Sequence, residues 1–480
     1  MSARMSSADA AWLHMDRPTN LMVINSVLLF DRPLAWQQVT RVIQQRLVDR
    51  YPRFRQRVIE SRVPLRGPKW EVDPDFRLEH HLHHIALPAP GDRAALQELI
   101  GELMTVPLDR NRPLWQTYLV DGFGDGAAMI NRLHHCIADG VSLARVMLSL
   151  ADSEPAPLAG AIADERPFGR SRVVIGGVPI PRTQGLAPAI RFASTPTRQL
   201  THIATSPTHA ATLAGALVRD GATLLRLLLT PADAATAIKG DPGVSRRVAW
   251  SEPVSLAKIK RIARAHDATV NDVLLAAVSG ALRHHLRARH SPVAQIQAVV
   301  PFNLRPLEKP VPRTLGNKFG LVLLPLPVGT RGSYRRLAQI HERMQQIKHG
   351  REAAVSYGLL NAAGHAPEPI KRRMLDLFSA KGTAVMTNVP GPQKTVNLAG
   401  TPVRTVLFWA PTSGHIGMSV SIFSYSGQVT VGLMVDAALV PHPERIITQL
   451  GRELNQLDRD DRARPSIPTP TPGNAPTPTT

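Results

Sequence analysis

A long segment without periodic hydrophobicity divides the chain into two parts, and this division constrains the fold most. Residues 153–207 are rich in Pro, Gly, Ala and Thr, a composition typical of a linker or crossover. Strand-like and helix-like stretches alternate on either side of it. The pattern predicts a mixed α/β (α+β) protein with an N-terminal domain over 1–152, a crossover over 153–245, a C-terminal domain over 246–460 and a disordered Pro/Thr tail over 461–480.

Apolar periodicity predicts individual elements within both parts. The predicted strands cover residues 21–30, 127–134, 296–302, 318–326, 416–425 and 428–436, and the last two are joined at Ser426-Gly427. The predicted helices cover residues 36–50, 256–265, 270–286 and 334–347, and Asp92 is placed to cap another helix. Residues 209–229 have the spacing of an amphipathic helix, which suits packing onto the next domain or lying on a membrane.

Composition limits the classes of partner. The formal net charge is +20, which favours an anionic lipid surface or a phosphate-bearing ligand, although genome composition alone could raise the Arg content. Nucleic acid is disfavoured because aromatic residues are only 5% and no zinc-finger or RNP-type motif is present. The N-terminus lacks a secretory signal, and apolar stretches are too short to span a bilayer. We therefore expect a cytoplasmic protein that is soluble or peripheral to a membrane.

The most informative segment joins a predicted strand to a predicted helix. The strand over 127–134 runs into His134-His135, three residues follow, and Asp139-Gly140 forms a tight-turn pair before a helical apolar stripe. A histidine held at such a transition can face a cleft, and its pKa near neutrality suits proton abstraction. Because neighbours on a strand point to opposite faces, one of His134 and His135 can face the cleft as a general base while the other supports it. Ordinary packing is the competing interpretation of the pair.

Three neighbouring residues have alternative interpretations. Asp139 could be a second acid or base, but its position before a helix favours a structural anchor. Gly140 is predicted to permit a tight turn. Cys136 could be a nucleophile activated by His135, but a single cysteine beside a strand is more often a small buried hydrophobe. No histidine pair has a carboxylate and a third ligand at metal spacing, so no metal site is predicted.

The motif and several other segments resemble one protein family. The pattern HHxxxDG over 134–140 resembles the signature of the CoA-dependent acyltransferase superfamily. Further segments resemble the bacterial wax ester synthase/diacylglycerol acyltransferase family in order along the chain: residues 6–12 (SSADAAW), 52–57 (PRFRQR), 113–115 (PLW), 270–273 (VNDV), 301–305 (PFNLR), 315–317 (LGN), 388–392 (NVPGP) and 424–427 (SYSG). These segments extend over nearly the whole predicted fold.

The resemblance implies a fold and a reaction. It implies two chloramphenicol-acetyltransferase-like domains with a tunnel between them, in which long-chain acyl-CoA and diacylglycerol or a fatty alcohol meet at His135. By the same resemblance, His135 is the general base and His134 its support: His135 takes the proton of the acceptor hydroxyl, which attacks the thioester directly without an acyl-enzyme. Acyl-CoA is then a substrate, and no cofactor is expected. The expected location is the inner face of the membrane or lipid bodies.

Other roles also follow from the resemblance. Asn271 is a candidate oxyanion donor or positioning residue, although it and Asp272 could equally serve the start of a helix. Arg305 is a candidate partner for Asp139, with a solvated surface arginine as the alternative. Substrate-binding or structural roles, as tunnel walls or domain contacts, are implied for Pro113, Leu114, Trp115, Asn388, Pro390 and Gly391.

Two other functions fit the same sequence. The same fold could acylate a glycolipid or polyketide hydroxyl from a carrier-protein thioester. A non-catalytic protein that coats lipid droplets is the third alternative, and the intact His135, Asp139 and Gly140 argue against it.

Overall fold

The computed structural model describes residues 2–61, 67–152, 174–175, 178–179, 221–304, 315–365 and 368–462. Most of the predicted crossover, the first part of the helix predicted over 209–229, and the tail beyond residue 462 lie outside the described residues. Residues 221–229 are helical.

Helices and strands follow one another in both parts of the chain. The helices are α1 Ser7–His14, α2 Trp36–Val42, α3 Arg93–Leu103, α4 Gly140–Leu148, α5 Leu256–Ala265, α6 Val270–Ala288, α7 Ser333–His349, α8 Glu352–His365, α9 Glu368–Ala380 and α10 Pro443–Arg462. The strands are β1 Ser2–Arg4, β2 Val23–Phe30, β3 Gln56–Ile59, β4 Lys69–Val72, β5 Leu82–Ala86, β6 Trp115–Phe123, β7 Gly126–His134, β8 Val174–Ile175, β9 Val178–Pro179, β10 Arg246–Trp250, β11 Val254–Ser255, β12 Ile296–Asn303, β13 Phe319–Leu326, β14 Ala384–Pro390, β15 Asn397–Leu398, β16 Thr401–Trp409, β17 Met418–Tyr425 and β18 Gln428–Asp436.

The first large sheet carries the histidine motif. Its order is β15-β16-β2-β7-β6-β5, with β7 antiparallel to both β2 and β6. Every residue of β7 is buried, as expected for a central strand covered on both faces. The register places Val23 opposite His134 and Trp115 opposite Leu133, so both neighbouring strands meet at the histidine end of β7.

The second large sheet has seven strands. Its order is β10-β18-β17-β14-β12-β13, with β11 also paired to β18. The strand β14 is parallel to β12 and to β17, whereas β17 and β18 form a hairpin. The buried helix α6 shares a hydrophobic core with this sheet and with α7 and α10. One sheet and one helix layer therefore position the start of α6 and the end of β14.

One strand crosses between the two parts of the chain. The strand β16 belongs to the C-terminal half but pairs antiparallel with β2 in the sheet of the histidine motif. Its residues Leu407 and Trp409 are buried in a core shared with Val27 and Ile130. The two halves therefore build the first sheet jointly.

Most of the elements predicted from periodicity are confirmed. The helix predicted over 36–50 is α-helical only to Val42 and continues as a wider π-helical turn over Ile43–Val48. Asp92 caps α3 through a bond from the backbone N–H of Ala95. The predicted turn between β17 and β18 is also confirmed, because Ser426 and Gly427 have φ angles of +48° and +72°.

In the part of the chain that the structure describes, no helix is long and apolar enough to cross a membrane.

Candidate active site

The histidine pair is held by the backbones of both strands that flank β7. The N–H of His134 donates to the carbonyl of Leu114 at 3.0 Å, and the N–H of His135 donates to the carbonyl of Met22 at 2.7 Å. Both partners belong to buried segments of the first sheet or its entry. The two imidazoles therefore project from a rigid backbone.

The imidazole of His135 packs against two aromatic rings. It stacks on Trp12 with ring centroids 4.2 Å apart and an interplanar angle of 17°, and Phe319 lies 5.5 Å away. Only 5% of the residue is exposed. Trp12 fixes the plane of the imidazole and covers one of its faces, while Phe319 lies beside both rings, so the polar contacts of His135 depend on the ring edge.

The side chain of Asn317 determines which ring nitrogen of His135 carries the proton. Its amide nitrogen donates to Asp9 Oδ1 and to the carbonyl of His135, both at 2.8 Å. Because both partners are acceptors only, the amide oxygen must face His135, where it lies 3.1 Å from Nδ1. The Nδ1 atom therefore carries the hydrogen and donates it, and Nε2 keeps its lone pair.

Asp9 fixes Asn317 in turn. One of its oxygens accepts both the backbone N–H of Asn317, at 2.9 Å, and the side-chain amide. Burial raises the pKa of Asp9, and the hydrogen bonds from Ser6 and Asn317 and the charge of Arg53 partly offset this rise. Asp9 lies in the first turn of α1, which Ser6 caps. A buried chain Asp9–Asn317–His135 thus orients the imidazole.

The pKa of His135 is lowered to about 4, chiefly because burial disfavours the imidazolium. The negative charge of Asp139 and the bond to Asn317 act in the opposite direction. The imidazole is consequently neutral at neutral pH, with Nε2 able to accept a proton.

His134 has a separate set of partners. Its Nδ1 accepts the N–H of Cys136 at 3.1 Å, so its hydrogen is on Nε2, which lies 3.7 Å from Asp16 Oδ2. Burial acts to raise the pKa of Asp16, but interactions with His134, Met22 and Arg110 lower it overall. His134 thereby ties the motif to the loop that precedes β2.

Asp139 links the histidine loop to the strand that follows Asn317. Its side chain caps α4 by accepting the N–H of Ser142 at 2.8 Å, and its other oxygen accepts the N–H of Lys318 at 3.2 Å. This is the position before a helix that the sequence indicated. Asp9 and Asp139 thus hold adjacent backbone amides at residues 317 and 318. The predicted partner Arg305 lies outside the described residues.

The turn role predicted for Gly140 is wrong. Gly140 is the first residue of α4, its φ is not in the left-handed region, and a Cβ there would meet no atom within 4 Å. The capping geometry of Asp139 makes the turn without help from a missing side chain.

Cys136 is a buried free thiol. Burial and the nearby Asp9 raise its pKa well above the usual value, which disfavours the thiolate that a nucleophile requires. The hydrophobic interpretation of Cys136 therefore fits its surroundings better than the nucleophilic one.

The segment Pro113-Leu114-Trp115 packs beneath the histidines. All three residues are buried, and Leu114 supplies the carbonyl that binds the N–H of His134. The indole N–H of Trp115 donates to the carbonyl of Phe54 at 2.9 Å, and its ring stacks on that of His81. Of the two roles implied for this segment, its contacts are those of a structural support.

Asn271 and Asn388, which the sequence predicted separately, meet where α6 approaches β14. Asn388 donates to Asn271 Oδ1 at 3.0 Å. Asp272 completes a capping box with Thr269 and accepts a 2.8 Å bond from His341. The helix-start role is therefore seen for Asp272, while Asn271 at the same helix end has its amide engaged with β14. In the described residues, no hydrogen bond joins this pair to His135.

The end of β14 requires a glycine. A Cβ on Gly391 would lie 2.5 Å from the carbonyl oxygen of Ser424 and 2.6 Å from the ring of Phe423. Its N–H donates to the same carbonyl at 2.7 Å, and Pro390 pairs with Ser424 in the preceding position. Pro390 and Gly391 thus bring the end of β14 against β17, so closely that residue 391 has no room for a side chain.

Four residues of the site were not predicted as site residues. These are Asp9, Trp12, Asp16 and Asn317, of which three lie in segments that carry the family resemblance. That location was the only signal available, because their roles depend on contacts between residues about 120 to 310 positions apart.

Among the described residues, no group of three or more His, Cys, Asp or Glu side chains could hold a metal ion.

Comparison with known families gives two matches that together extend over most of the chain. Residues 5–274 match the wax ester synthase/diacylglycerol acyltransferase catalytic domain, and residues 315–458 match the C-terminal domain of the same family. The first match contains His135 and Asp9, and the second contains Asn317.

Curated relatives extend over similar lengths. The chain is 28% identical over 449 residues to a probable diacylglycerol O-acyltransferase, tgs1, of Mycobacterium tuberculosis, covering 91% of each chain. It is 27% identical over 496 residues to a putative diacylglycerol O-acyltransferase of Mycobacterium bovis, covering 95% of this chain and 91% of the relative.

Solved structures show the same fold. A wax ester synthase/diacylglycerol acyltransferase from Marinobacter aquaeolei VT8 superposes with a TM-score of 0.65 at 21% identity, covering 96% of this chain and all of that one. The first condensation domain of the calcium-dependent antibiotic synthetase superposes with a TM-score of 0.58 at 16% identity, covering 96% and 97%. The predicted fold with two chloramphenicol-acetyltransferase-like domains is thus confirmed, and the tunnel stays a prediction.

Proposed function

The chain belongs to the wax ester synthase/diacylglycerol acyltransferase family, and from this membership and the geometry around His135 we propose that it transfers a long-chain acyl group from acyl-CoA to the hydroxyl of diacylglycerol. A long-chain fatty alcohol is the second acceptor in the proposal. The products are triacylglycerol or wax ester and free CoA. The names of the mycobacterial relatives support diacylglycerol as the first acceptor to test.

The protonation of His135 is the observation that carries the proposal. Its Nδ1–H is bound to Asn317, which leaves Nε2 as the only ring atom able to take a proton. Because the imidazole is neutral at neutral pH, it needs no prior loss of a proton. In the proposed reaction, Nε2 accepts the acceptor's hydroxyl proton as its oxygen attacks the thioester carbonyl.

The second half of the reaction returns that proton. The tetrahedral intermediate collapses, the carbon–sulfur bond breaks, and the CoA sulfur takes the proton from the imidazolium. The bond from Nδ1 to Asn317, backed by the Asp9 carboxylate, stabilises the imidazolium between the two steps. No cofactor and no acyl-enzyme takes part.

Oxyanion stabilisation is assigned in this proposal to Asn271. Its amide is oriented at the start of α6 by Asn388, and an amide in that position can donate one bond to a carbonyl oxygen that becomes negatively charged. Replacement by Ala would lower kcat by about 100-fold in the mechanism proposed.

The function is tested with the full chain and a labelled palmitoyl group presented either as palmitoyl-CoA or as a carrier-protein thioester. Diacylglycerol, a long-chain alcohol and a blank without acceptor are compared, each with wild type and His135→Gln. The proposal expects labelled triacylglycerol from wild type and a loss of about 1000-fold or more in the variant. Product from a carrier-protein thioester but not from acyl-CoA would favour the glycolipid or polyketide alternative. No ester from any donor, with lipid-surface binding intact, would favour the non-catalytic alternative.

The proposed location is a membrane face or a lipid body, because both proposed acceptors are lipids. A flotation assay of the chain with lipid droplets tests this part separately from turnover.

A further inference from the structure

A basic cleft lies between three helices of the C-terminal half. It has a volume of about 720 Å³ and is bounded by α6, the start of α7, and α10. We call it the arginine cleft, defined by Arg283, Arg331, Arg335, Arg336 and Glu453. Arg283 lies on α6 twelve residues after Asn271, roughly 18 Å along the helix axis. The cleft is therefore separate from the cluster at the start of that helix.

The charges in the cleft do not balance. Four guanidinium groups face a single carboxylate, Glu453, which already binds Arg336 and lies 3.3 Å from His284 Nε2. In the described part of the chain, no carboxylate lies within ion-pair distance of Arg283, Arg331 or Arg335. A net charge of about +3 is thus concentrated in one concave site.

The arginines repel one another. The pKa of Arg283 is lowered by burial and then by the charges of Arg287 and Arg331. The pKa of Arg336 is lowered by burial and by Arg283, against the attraction of Glu453. Repulsion between these like charges lowers the free energy of unfolding, and a bound anion would offset that repulsion.

Two buried guanidinium donors beside the cleft have no hydrogen-bond partner. Arg336 is only 3% exposed, and its Nε has no hydrogen-bond partner; the buried Nε of Arg283 also has none. The helix α7 starts at the same place after Gly332, which has no side chain to cap the first N–H groups. A long helix presents a partial positive charge there.

We propose that the arginine cleft binds the phosphate group of a phosphomonoester. A phosphate carries about two negative charges near neutral pH and several acceptor oxygens, which match paired guanidinium groups better than a single carboxylate does. Such a group occurs on soluble esters and on the headgroup of phosphatidic acid. The inference does not depend on the proposed acyl transfer.

The test uses the full chain and two probes. Glycerol 3-phosphate is titrated calorimetrically, with sodium chloride at equal ionic strength as the blank. Sedimentation is measured with phosphatidylcholine vesicles with and without phosphatidic acid. The variant Arg331→Gln/Arg335→Gln removes two exposed arginines of the cleft, and Arg41→Gln/Arg373→Gln removes the same charge from exposed positions outside it.

Each outcome either identifies the source of the phosphate group or contradicts the proposal. Glycerol 3-phosphate binding that weakens by about tenfold or more only in the cleft variant indicates a soluble ester. An effect of that size confined to phosphatidic acid vesicles indicates a lipid headgroup. Equal binding by both double variants, or no phosphate-dependent binding by wild type, overturns the proposal.

Discussion

Asn317 Oδ1 lies 3.1 Å from His135 Nδ1, and this contact determines the tautomer of the imidazole. The oxygen cannot turn away, because the amide nitrogen of Asn317 is bound to the Asp9 carboxylate and to the carbonyl of His135. The buried carboxylate of Asp9 is thus linked to the imidazole of His135 through one intervening residue, Asn317. In the proposed reaction, Asp9 acts through Asn317 and never contacts the substrate.

Replacing Asn317 by Ala should lower kcat by about 100-fold with little change in KM, because the imidazole loses its orientation and the support of its cation. Steady-state kinetics with acyl-CoA and diacylglycerol measure both constants. Nitrogen chemical shifts of labelled His135 should show a mixture of tautomers in the variant and the Nδ1–H form alone in wild type.

Asp9→Asn serves as the graded control, because an amide oxygen can still accept from Asn317 but carries no charge. We expect its kcat to fall between those of wild type and Asn317→Ala. A kcat for Asn317→Ala equal to that of wild type would contradict the role of the chain Asp9–Asn317–His135.

The sequence predicted the elements of this site better than their contacts. Periodicity placed β7 and α4 on either side of the motif, and capping chemistry placed Asp139 at the helix start. Asn317 could not be found in that way, because it precedes a strand 182 positions from His135 and has no local pattern. The crossing of β16 into the first sheet was equally hidden, since an apolar strand does not indicate which neighbour it will pair with.

At Gly140 the sequence suggested a backbone requirement that the structure does not have. A glycine after Asp is often required by a turn, but here the residue is helical and has space for a side chain. The sequence pair alone does not distinguish a left-handed turn from a capped helix start.

The fall of kcat/KM at low pH should reflect protonation of His135. Its pKa is about 4 in the folded chain against an ordinary value of 6.5, so the neutral base is present throughout the range above pH 6. We expect kcat/KM to be insensitive to this group from pH 8 to pH 6, and to fall only as the pH approaches 4. A fall of kcat/KM centred near pH 6.5 would contradict a buried, desolvated base.

The free energy of unfolding should also depend on pH between 6.5 and 4. Between pH 6.5 and 4 the unfolded chain binds a proton at residue 135 that the folded chain does not, so stability is fully present above 6.5 and is lost as the pH falls. The contribution is about 3 kcal/mol. The thermal unfolding midpoint of wild type should therefore fall further over this window than that of His135→Gln, which lacks the titrating group. Parallel pH curves for the two proteins would exclude this contribution.

Two glycines in family motifs should respond differently to alanine. Gly391→Ala places a Cβ 2.5 Å from the carbonyl of Ser424, and the overlap should destabilise the fold by about 1–3 kcal/mol. Gly140→Ala meets no atom within 4 Å and adds a residue that favours helix, so its unfolding midpoint should equal or exceed that of wild type. Thermal unfolding of the two variants side by side checks the contrast, and a lower midpoint for Gly140→Ala would restore a backbone requirement at that position.

The thiol of Cys136 should be dispensable for turnover. It is fully buried with a raised pKa, so Cys136→Ala should keep kcat within about threefold of wild type, whereas a nucleophile's removal would abolish activity. Cys136→Ser should fold less stably by about 1–3 kcal/mol, because it buries a hydroxyl where a weakly polar thiol packs. Kinetics of the alanine variant and unfolding of the serine variant measure these effects. A native protein whose thiol reacted rapidly with iodoacetamide at pH 7, together with an inactive Cys136→Ala, would return the residue to the chemistry and displace His135 as the group that acts directly.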